Sequence, residues 1–424
     1  MNKKTVAIIL GIIIIIAIVS GAVWYFQKDK QNTKGKCGDG ICGKTENNTN
    51  CPADCPKDEV SKNYGIYELM HPKQQEQTPD ANIDYPYLSG AIFGMSMKDL
   101  EPQEGKFDFS EADNLIKIWQ AKNKKVAFSV VVSGAGGGTL TPEWVFDKGA
   151  KYIDAQKNSL ERQPILWDPI FLSEYEKFIS KIAEKYDGSN DVGFIIIGTG
   201  VFTTTVVNYP AVLKDTTACQ KYNEYGYSDK VWYETMLKMV EINQKYFKKT
   251  PLILGLNDFY LLEDKSCLPN SDPENYNYLK LAREVSDKGV SIYIHHLGQY
   301  VTNYEAGTLV DKNVLEELEV LSEISKKNPI LIGMDNPTTL IMDNSTTNKS
   351  KCDDDYRFGE PDSLIDFAFG VDNDNTIPEI NPAFISFYEQ DIDAAEDGKI
   401  HNFECKEWKE KFDAAFKKAY AKWK

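Results

Sequence analysis

The sequence predicts an α/β protein built as a (β/α)8 TIM barrel, preceded by an N-terminal transmembrane helix and a small disulfide-rich segment. Two patterns carry the barrel. Short β-rich apolar runs recur eight times after residue 63, and amphipathic helical stretches separate most of them, which is the alternation expected of βα units around a parallel sheet. The chain is also long enough, at 424 residues, to hold a barrel of about 250 residues or more with segments to spare.

Taken in order, the eight runs are Tyr64–Leu69, Gly90–Met97, Val126–Val132, Gly193–Gly198, Leu252–Leu256, Val290–Ile294, Ile330–Met334 and Ala383–Phe387. Ser110-Glu-Ala-Asp113 and Ser173-Glu-Tyr-Glu176 read as capping-box helix starts. The second leads a helically spaced stripe of Tyr175, Phe178, Ile179, Ile182 and Tyr186. Asp272-Pro273 opens a further helix that Gly289 closes, with proline at its first position and glycine past its end. Glu316–Lys327 precedes the seventh run. Trp408, Phe412, Ala415, Ala419 and Trp423 form one stripe on the last helix.

Ahead of the barrel, Thr5–Phe26 is an uncharged run of about 22 residues. A membrane-spanning helix needs roughly 20 apolar residues, and the apolar region of a cleaved signal peptide is shorter, about 7–15. An anchor is the stronger reading, although Ser20-Gly21-Ala22 offers a cleavage site. Lys28, Lys30, Lys34 and Lys36 follow the span, where the positive-inside rule prefers cytoplasm. The cysteines argue the other way. Cys37, Cys42, Cys51 and Cys55 crowd behind the span, while Cys219, Cys267, Cys352 and Cys405 are spread through the C-terminal half. An even number with one dense cluster after an export segment reads as disulfides in an oxidising compartment. The expected location is the cell membrane, single-pass, with the C-terminal domain outside; secretion is the alternative. The expected domains are 1–27 anchor or signal, 28–36 linker, 37–56 cysteine-rich segment, 57–80 linker and possible first strand, and 81–424 barrel.

A zinc site made by all four cysteines is the competing reading of the first cluster, but its spacings contain no CxxC pair. Asp39, Glu46 and Asp54 lie among these cysteines and are oxygen ligands suited to calcium. No other cofactor is required. In a barrel, the loops after the fourth and fifth strands are neighbours, as are those after the seventh and eighth. Cys219–Cys267 and Cys352–Cys405 are therefore the expected pairs.

Composition narrows the function. The net charge is −16, from 48 basic and 64 acidic side chains, which disfavours nucleic acid because phosphate binding needs a positive face. The chain is rich in aromatics (23 Tyr, 20 Phe, 7 Trp), residues that fill cores and also line sugar-binding clefts. Ser133-Gly-Ala-Gly-Gly-Gly138-Thr139 lacks the lysine of a phosphate loop and reads as a flexible loop on the substrate side. His295 and His296 are adjacent just after the sixth run, and alternation continued from the strand sends them to opposite sides; His295 is the candidate for the cleft.

Met97-Lys-Asp-Leu-Glu101-Pro-Gln-Glu-Gly105-Lys-Phe-Asp108-Phe-Ser110 resembles the LEPxxGxYDFS stretch of glycoside hydrolases of the large retaining clan, particularly the β-galactosidase-like family 42. Thr141-Pro-Glu-Trp144-Val is similar to the P-x-W turn those enzymes carry after the third strand. Pro164-Ile-Leu-Trp167-Asp168-Pro169 is similar to a P.WDP segment of glycosidase-like barrels. The resemblance covers residues 88–200. It implies a carbohydrate substrate or ligand, Glu101 fixing its loop, and Trp144 and Trp167 stacking on sugar. The short CGDGxC…DC cysteine segment, in turn, resembles those of exported bacterial and archaeal proteins.

The resemblance also implies a carboxyl pair at the ends of the fourth and seventh strands, about 5–5.5 Å apart in a retaining enzyme. Here the chain departs from the pattern. The fourth run continues Gly198-Thr199-Gly200-Val201-Phe202-Thr203-Thr204-Thr205, with no acid before Asp215, and a threonine hydroxyl cannot act as general acid near neutrality. The seventh run leads into Asp335, an aspartate where the family has glutamate. Asp258 after the fifth run, and Glu389 with Asp391 after the eighth, are the replacement acids. The expected catalytic set is Asp335, Glu389 and Asp258, with Trp144, Trp167, Glu101, His295 and Asp391 contacting substrate. The alternative is a catalytically inactive barrel that binds carbohydrate or serves as a surface protein.

Overall fold

All eight apolar runs are strands, and they close into one ring. In the computed structural model these are β1 (Gly65–Leu69), β2 (Leu88–Ser96), β3 (Lys125–Val131), β6 (Val192–Gly198), β7 (Leu252–Leu256), β8 (Ser291–Ile294), β9 (Leu331–Gly333) and β10 (Phe384–Tyr388). Each pairs in parallel with its sequence neighbours in the ring, and β10 pairs with β1 to close it. Two antiparallel hairpins stand apart: β4 (Tyr152–Asp154) with β5 (Arg162–Pro164), and β11 (Lys399–Ile400) with β12 (Phe403–Glu404). The structure describes residues 64–70, 72–133, 139–154, 162–198, 216–256, 277–294, 312–333, 361–370, 378–400, 403–404 and 406–423. All of them fall within the compact unit Asn63–Lys424. The barrel's first strand thus comes from the 57–80 stretch.

The helices, in chain order, are α1 (Pro72–Gln77), α2 (Met97–Leu100), α3 (Ser110–Gln120), α4 (Glu143–Asp147), α5 (Pro169–Tyr186) and α6 (Thr216–Glu224). They continue with α7 (Asp229–Tyr246), α8 (Tyr278–Asp287), α9 (Lys312–Ser325), α10 (Pro361–Ala368), α11 (Glu389–Asp397) and α12 (Lys406–Ala421). Among the described residues, no helix is long and apolar enough to cross a membrane. The run Thr5–Phe26, the calcium candidates Asp39, Glu46 and Asp54, and the cysteines lie outside them; Cys219 falls in α6, whose cysteine side chain is not described.

Parallel strands buried on both faces carry near-continuous apolar runs. Along each strand, alternate side chains point outward against the helices or inward into the ring. On the inside, Tyr67, Phe194 and Phe384 meet with ring centroids 4.6–5.8 Å apart. Outside, Ile66, Phe93, Phe128 and Ile195 belong to the continuous core shared with the helices. Gly90 marks a close approach between neighbouring strands. A Cβ there would stand 2.3 Å from the Lys125 carbonyl oxygen and 2.6 Å from the Tyr67 ring.

Two expected helix starts are corrected. Ser110 does not cap α3; its N–H donates to Asp108 Oδ1 at 2.9 Å, and Phe109 occupies the cap position. Ser173 lies inside α5, which begins at Pro169. There Asp168 accepts from the Ile170 and Phe171 N–H groups at 2.9 and 3.0 Å, and proline takes the first helical position, where its missing N–H costs nothing. In both cases an aspartate ahead of the serine wins because its carboxylate reaches the unpaired N–H groups first. The helix that Gly289 follows, α8, starts at Tyr278 with Asn277 as its cap, accepting from the Lys280 N–H at 2.9 Å. The expected opening at Asp272-Pro273 lies outside the described residues. The apolar stripes are as expected: α5 buries Tyr175, Phe178, Ile179, Ile182 and Tyr186, and α12 buries Trp408, Phe412, Ala415 and Ala419. Trp423 donates its indole N–H to the Pro382 carbonyl at 2.8 Å, fastening the end of the chain to the approach of β10.

Candidate functional site

Because the barrel strands are parallel, their C-terminal ends share one rim, the face on which such barrels place their chemistry. A cavity of about 660 Å³ opens there over the ends of β1, β2 and β3. Leu69 and Met70 wall it from β1, Gly94 and Ser96 from β2, and Ser129 and Val131 from β3. Trp144, on α4, adds a half-buried indole to the wall.

The Glu101–Gly105 turn supports that wall. The Glu101 carboxylate accepts from the Gly105 N–H at 2.8 Å, and Gly105 has φ +72, in the left-handed region that favours glycine. The Glu101 carbonyl accepts from the Trp144 indole N–H at 3.1 Å. Glu101 is itself buried and stands behind the cavity. Burial raises its pKa, and the Gly105 N–H works against that rise. On the β3 side, Thr141 donates its hydroxyl hydrogen to the Val132 carbonyl at 2.6 Å, fixing the turn into α4.

Of the expected acids, Glu389 and Asp391 are described. Tyr388, the last residue of β10, pairs with Leu69 of the cavity wall. Glu389 follows it at the first position of α11. Burial, and secondarily the nearby Asp393 carboxylate, push Glu389 up to about 7. Asp391 lies in the first turn of α11 and is wholly buried. Asp335, Asp258 and His295 lie outside the described residues. Trp167 does not line the cavity: its indole N–H donates to the Tyr225 carbonyl at 2.6 Å, and Tyr222, Tyr227 and Trp232 surround it at 5.8–6.2 Å between centroids.

The cavity also holds residues that sequence reasoning missed. Gln75 of α1 is buried, and its amide donates to Glu111 Oε1 at 2.7 Å and to the Gly94 carbonyl at 3.2 Å. The run PKQQEQ has no apolar period and reads as linker, so no local signal marks it. Ser129 had one: it is a polar residue amid the apolar run Val126–Val131, at an inward-facing position.

No family model matches the chain. The likeness is one of fold. The barrel superposes on the catalytic domain of a beta-amylase from Paenibacillus polymyxa with a TM-score of 0.52, at 9% identity, over 84% of this chain and 99% of that one. An exo-beta-1,4-mannosidase from Opitutaceae bacterium strain TAV5 gives 0.46 at 11% identity, covering 84% of this chain and 60% of that one. A beta-galactosidase from the psychrophilic Marinomonas ef1 gives 0.43 at 10%, covering 76% and 53%. By sequence, a threonine–tRNA ligase from Prochlorococcus marinus subsp. pastoris is 25% identical over 235 residues, 53% of this chain and 34% of that protein. The chain thus spans about a third of the length of that curated relative.

Proposed function

We propose that the barrel is a glycoside hydrolase acting on a polysaccharide or oligosaccharide. The observation that carries this reading is Glu389, a carboxyl at the C-terminal rim whose pKa, raised by burial to about 7, keeps about half of it protonated at neutrality, where an ordinary glutamate is almost wholly ionised and could not serve as a general acid. A second carboxylate is needed on the other face of the scissile bond, and Asp335 is the residue proposed for it. Gly333 of β9 pairs with Ser386 of β10, so the segments leading into Asp335 and Glu389 leave the ring as neighbours. Asp258 is held as the alternative partner. Trp144 offers an apolar face for a sugar ring at the cavity wall, and the beta-amylase-like fold supports the same substrate class by analogy.

The test is release of reducing sugar from a broad glycan panel. Glu389→Gln and Asp335→Asn are expected to lower turnover by roughly 10²–10⁴-fold with the far-UV circular dichroism unchanged. Failure of the wild-type chain to cleave any glycan overturns the hydrolase reading.

A second reading rests on the acid-free stretch after β6, Thr199 to Lys214: a barrel that binds carbohydrate at the cell surface without turning it over. Glycan-array binding without hydrolysis distinguishes it. Under either reading we place the barrel outside the cell, anchored by Thr5–Phe26. The eight cysteines support that location, with Cys219–Cys267 and Cys352–Cys405 as pairs. Calcium held by Asp39, Glu46 and Asp54 is the one metal proposed, and it lies away from the barrel's chemistry in the sequence.

A further inference from the structure

We propose that residues 72–78 form a strap that gates the cavity over β1–β3, held shut by one side chain, Gln75. The strap runs between two fixed points. Ahead of it, the Met70 N–H donates to the Ile92 carbonyl at 3.1 Å, tying the end of β1 to β2. Behind it, the Pro79 carbonyl accepts from the indole N–H of the fully buried Trp119 at 2.9 Å. Between these points lies α1, and its Gln75 and Glu76 form one wall of the cavity.

The hold on that wall is polar and narrow. The stretch reads Pro-Lys-Gln-Gln-Glu-Gln-Thr and has no large apolar side chain to bury. Among the described side chains of α1, Gln75 alone is buried, while Glu76 and Gln77 are exposed, as is Thr78 after them. The Gln75 amide nitrogen donates to Glu111 Oε1 of α3 at 2.7 Å and to the Gly94 carbonyl of β2 at 3.2 Å. Segments that bury little apolar surface and hang on a few hydrogen bonds open locally while the rest of a fold stays intact.

The closed state also carries a cost. Both neighbours of the amide nitrogen are acceptors, which settles the orientation of the amide. Gln75 Oε1 is thereby sealed from solvent without a partner among the described residues. An unmet buried acceptor raises the energy of the state that buries it. Release of the strap returns that oxygen to water, which narrows the gap between the closed and open forms. The space at Gly94 is unfilled: a Cβ there would meet nothing within 4 Å. Opening thus uncovers the cavity without breaking packed contacts at that glycine, and it exposes Met70 and Met95, two buried residues of the lining.

The experiment follows the full chain in mild detergent at about pH 7 by amide hydrogen exchange and by oxidation with dilute hydrogen peroxide, each resolved by peptide mass spectrometry. In Gln75→Glu the ionised carboxylate has no donor and faces the Glu111 carboxylate and the Gly94 carbonyl, so the latch cannot form. The amides of residues 72–78 are expected to exchange about tenfold faster than in wild type. Met70 and Met95 should form sulfoxide several-fold faster, while Met236 and Met239, fully buried on α7, keep their wild-type rates. Glu111→Ala removes one of the two acceptors and should shift the same amides in the same direction by a smaller factor. Unchanged exchange of residues 72–78 in Gln75→Glu overturns the inference. So does faster exchange that leaves Met70 and Met95 protected, because the strap then does not cover the cavity. A parallel rise at Met236 and Met239 overturns it too, since that reports a general loosening of the barrel. Neither readout uses a glycan, so the result is independent of the hydrolase reading.

Discussion

The Trp144 indole N–H donates to the Glu101 carbonyl oxygen over 3.1 Å, and the Glu101 side chain closes its own turn by accepting from the Gly105 N–H at 2.8 Å. One residue therefore fixes both the turn after α2 and the aromatic wall of the cavity. Trp144→Ala should weaken glycan binding about tenfold, the loss of roughly 1.4 kcal/mol, while melting within a few degrees of wild type. Glu101→Ala should instead cost about 1–3 kcal/mol of stability by removing the charged acceptor of the Gly105 N–H. Glu101→Gln keeps an acceptor oxygen and should recover most of that loss. Urea denaturation of the two Glu101 variants checks the contrast.

The alkaline limb of the pH–rate profile should report Glu389. A general acid works only while protonated, so kcat/KM should fall above about pH 7, and a Glu389→Gln variant should lose that limb along with most of its rate. A profile still flat through pH 8 would remove Glu389 from the acid role.

The same carboxyl links folding to pH. Its folded pKa is raised from 4.5 to about 7, so the stability it supports is fully present below about pH 4.5 and is lost as the pH rises through about 7. Glu389→Gln should accordingly be more stable than wild type at pH 8, by about 1 kcal/mol once partial exposure is discounted. The two should converge near pH 4.5. Thermal denaturation at both pH values reads the difference.

Inside the ring, Phe384→Ala should cost about 3–5 kcal/mol, because it opens a void between Tyr67 and Phe194 that the closed strands cannot collapse to fill. Gly90→Ala should also destabilise strongly, since the new methyl meets the Lys125 backbone carbonyl, which has no room to withdraw. Chemical denaturation of either variant measures the loss.

The barrel was legible because strands buried on both faces leave unbroken apolar runs such as Phe194–Ile197 and Ile330–Ile332, and these need no partner to be recognised. Helix starts were harder to read. A serine followed by glutamate imitates a cap wherever an aspartate just upstream, Asp108 or Asp168, has already met the free N–H groups. The Glu101 turn was anticipated only through the resemblance of Met97–Ser110 to the LEPxxGxYDFS stretch, since nothing in the local spacing alone marks it. The cavity was not. Gln75 acts through its distance from Gly94 and Glu111, residues 19 and 36 positions away, and no short window of sequence contains all three.

The pairing of Leu69 with Tyr388 has a consequence for biosynthesis. The first and last strands, more than three hundred residues apart, complete each other, so an emerging chain cannot seal its ring until the segment beyond residue 388 has left the ribosome. Up to then the side of β1 away from β2 is an unpaired edge, the kind of exposed strand at which partly formed sheets join one another.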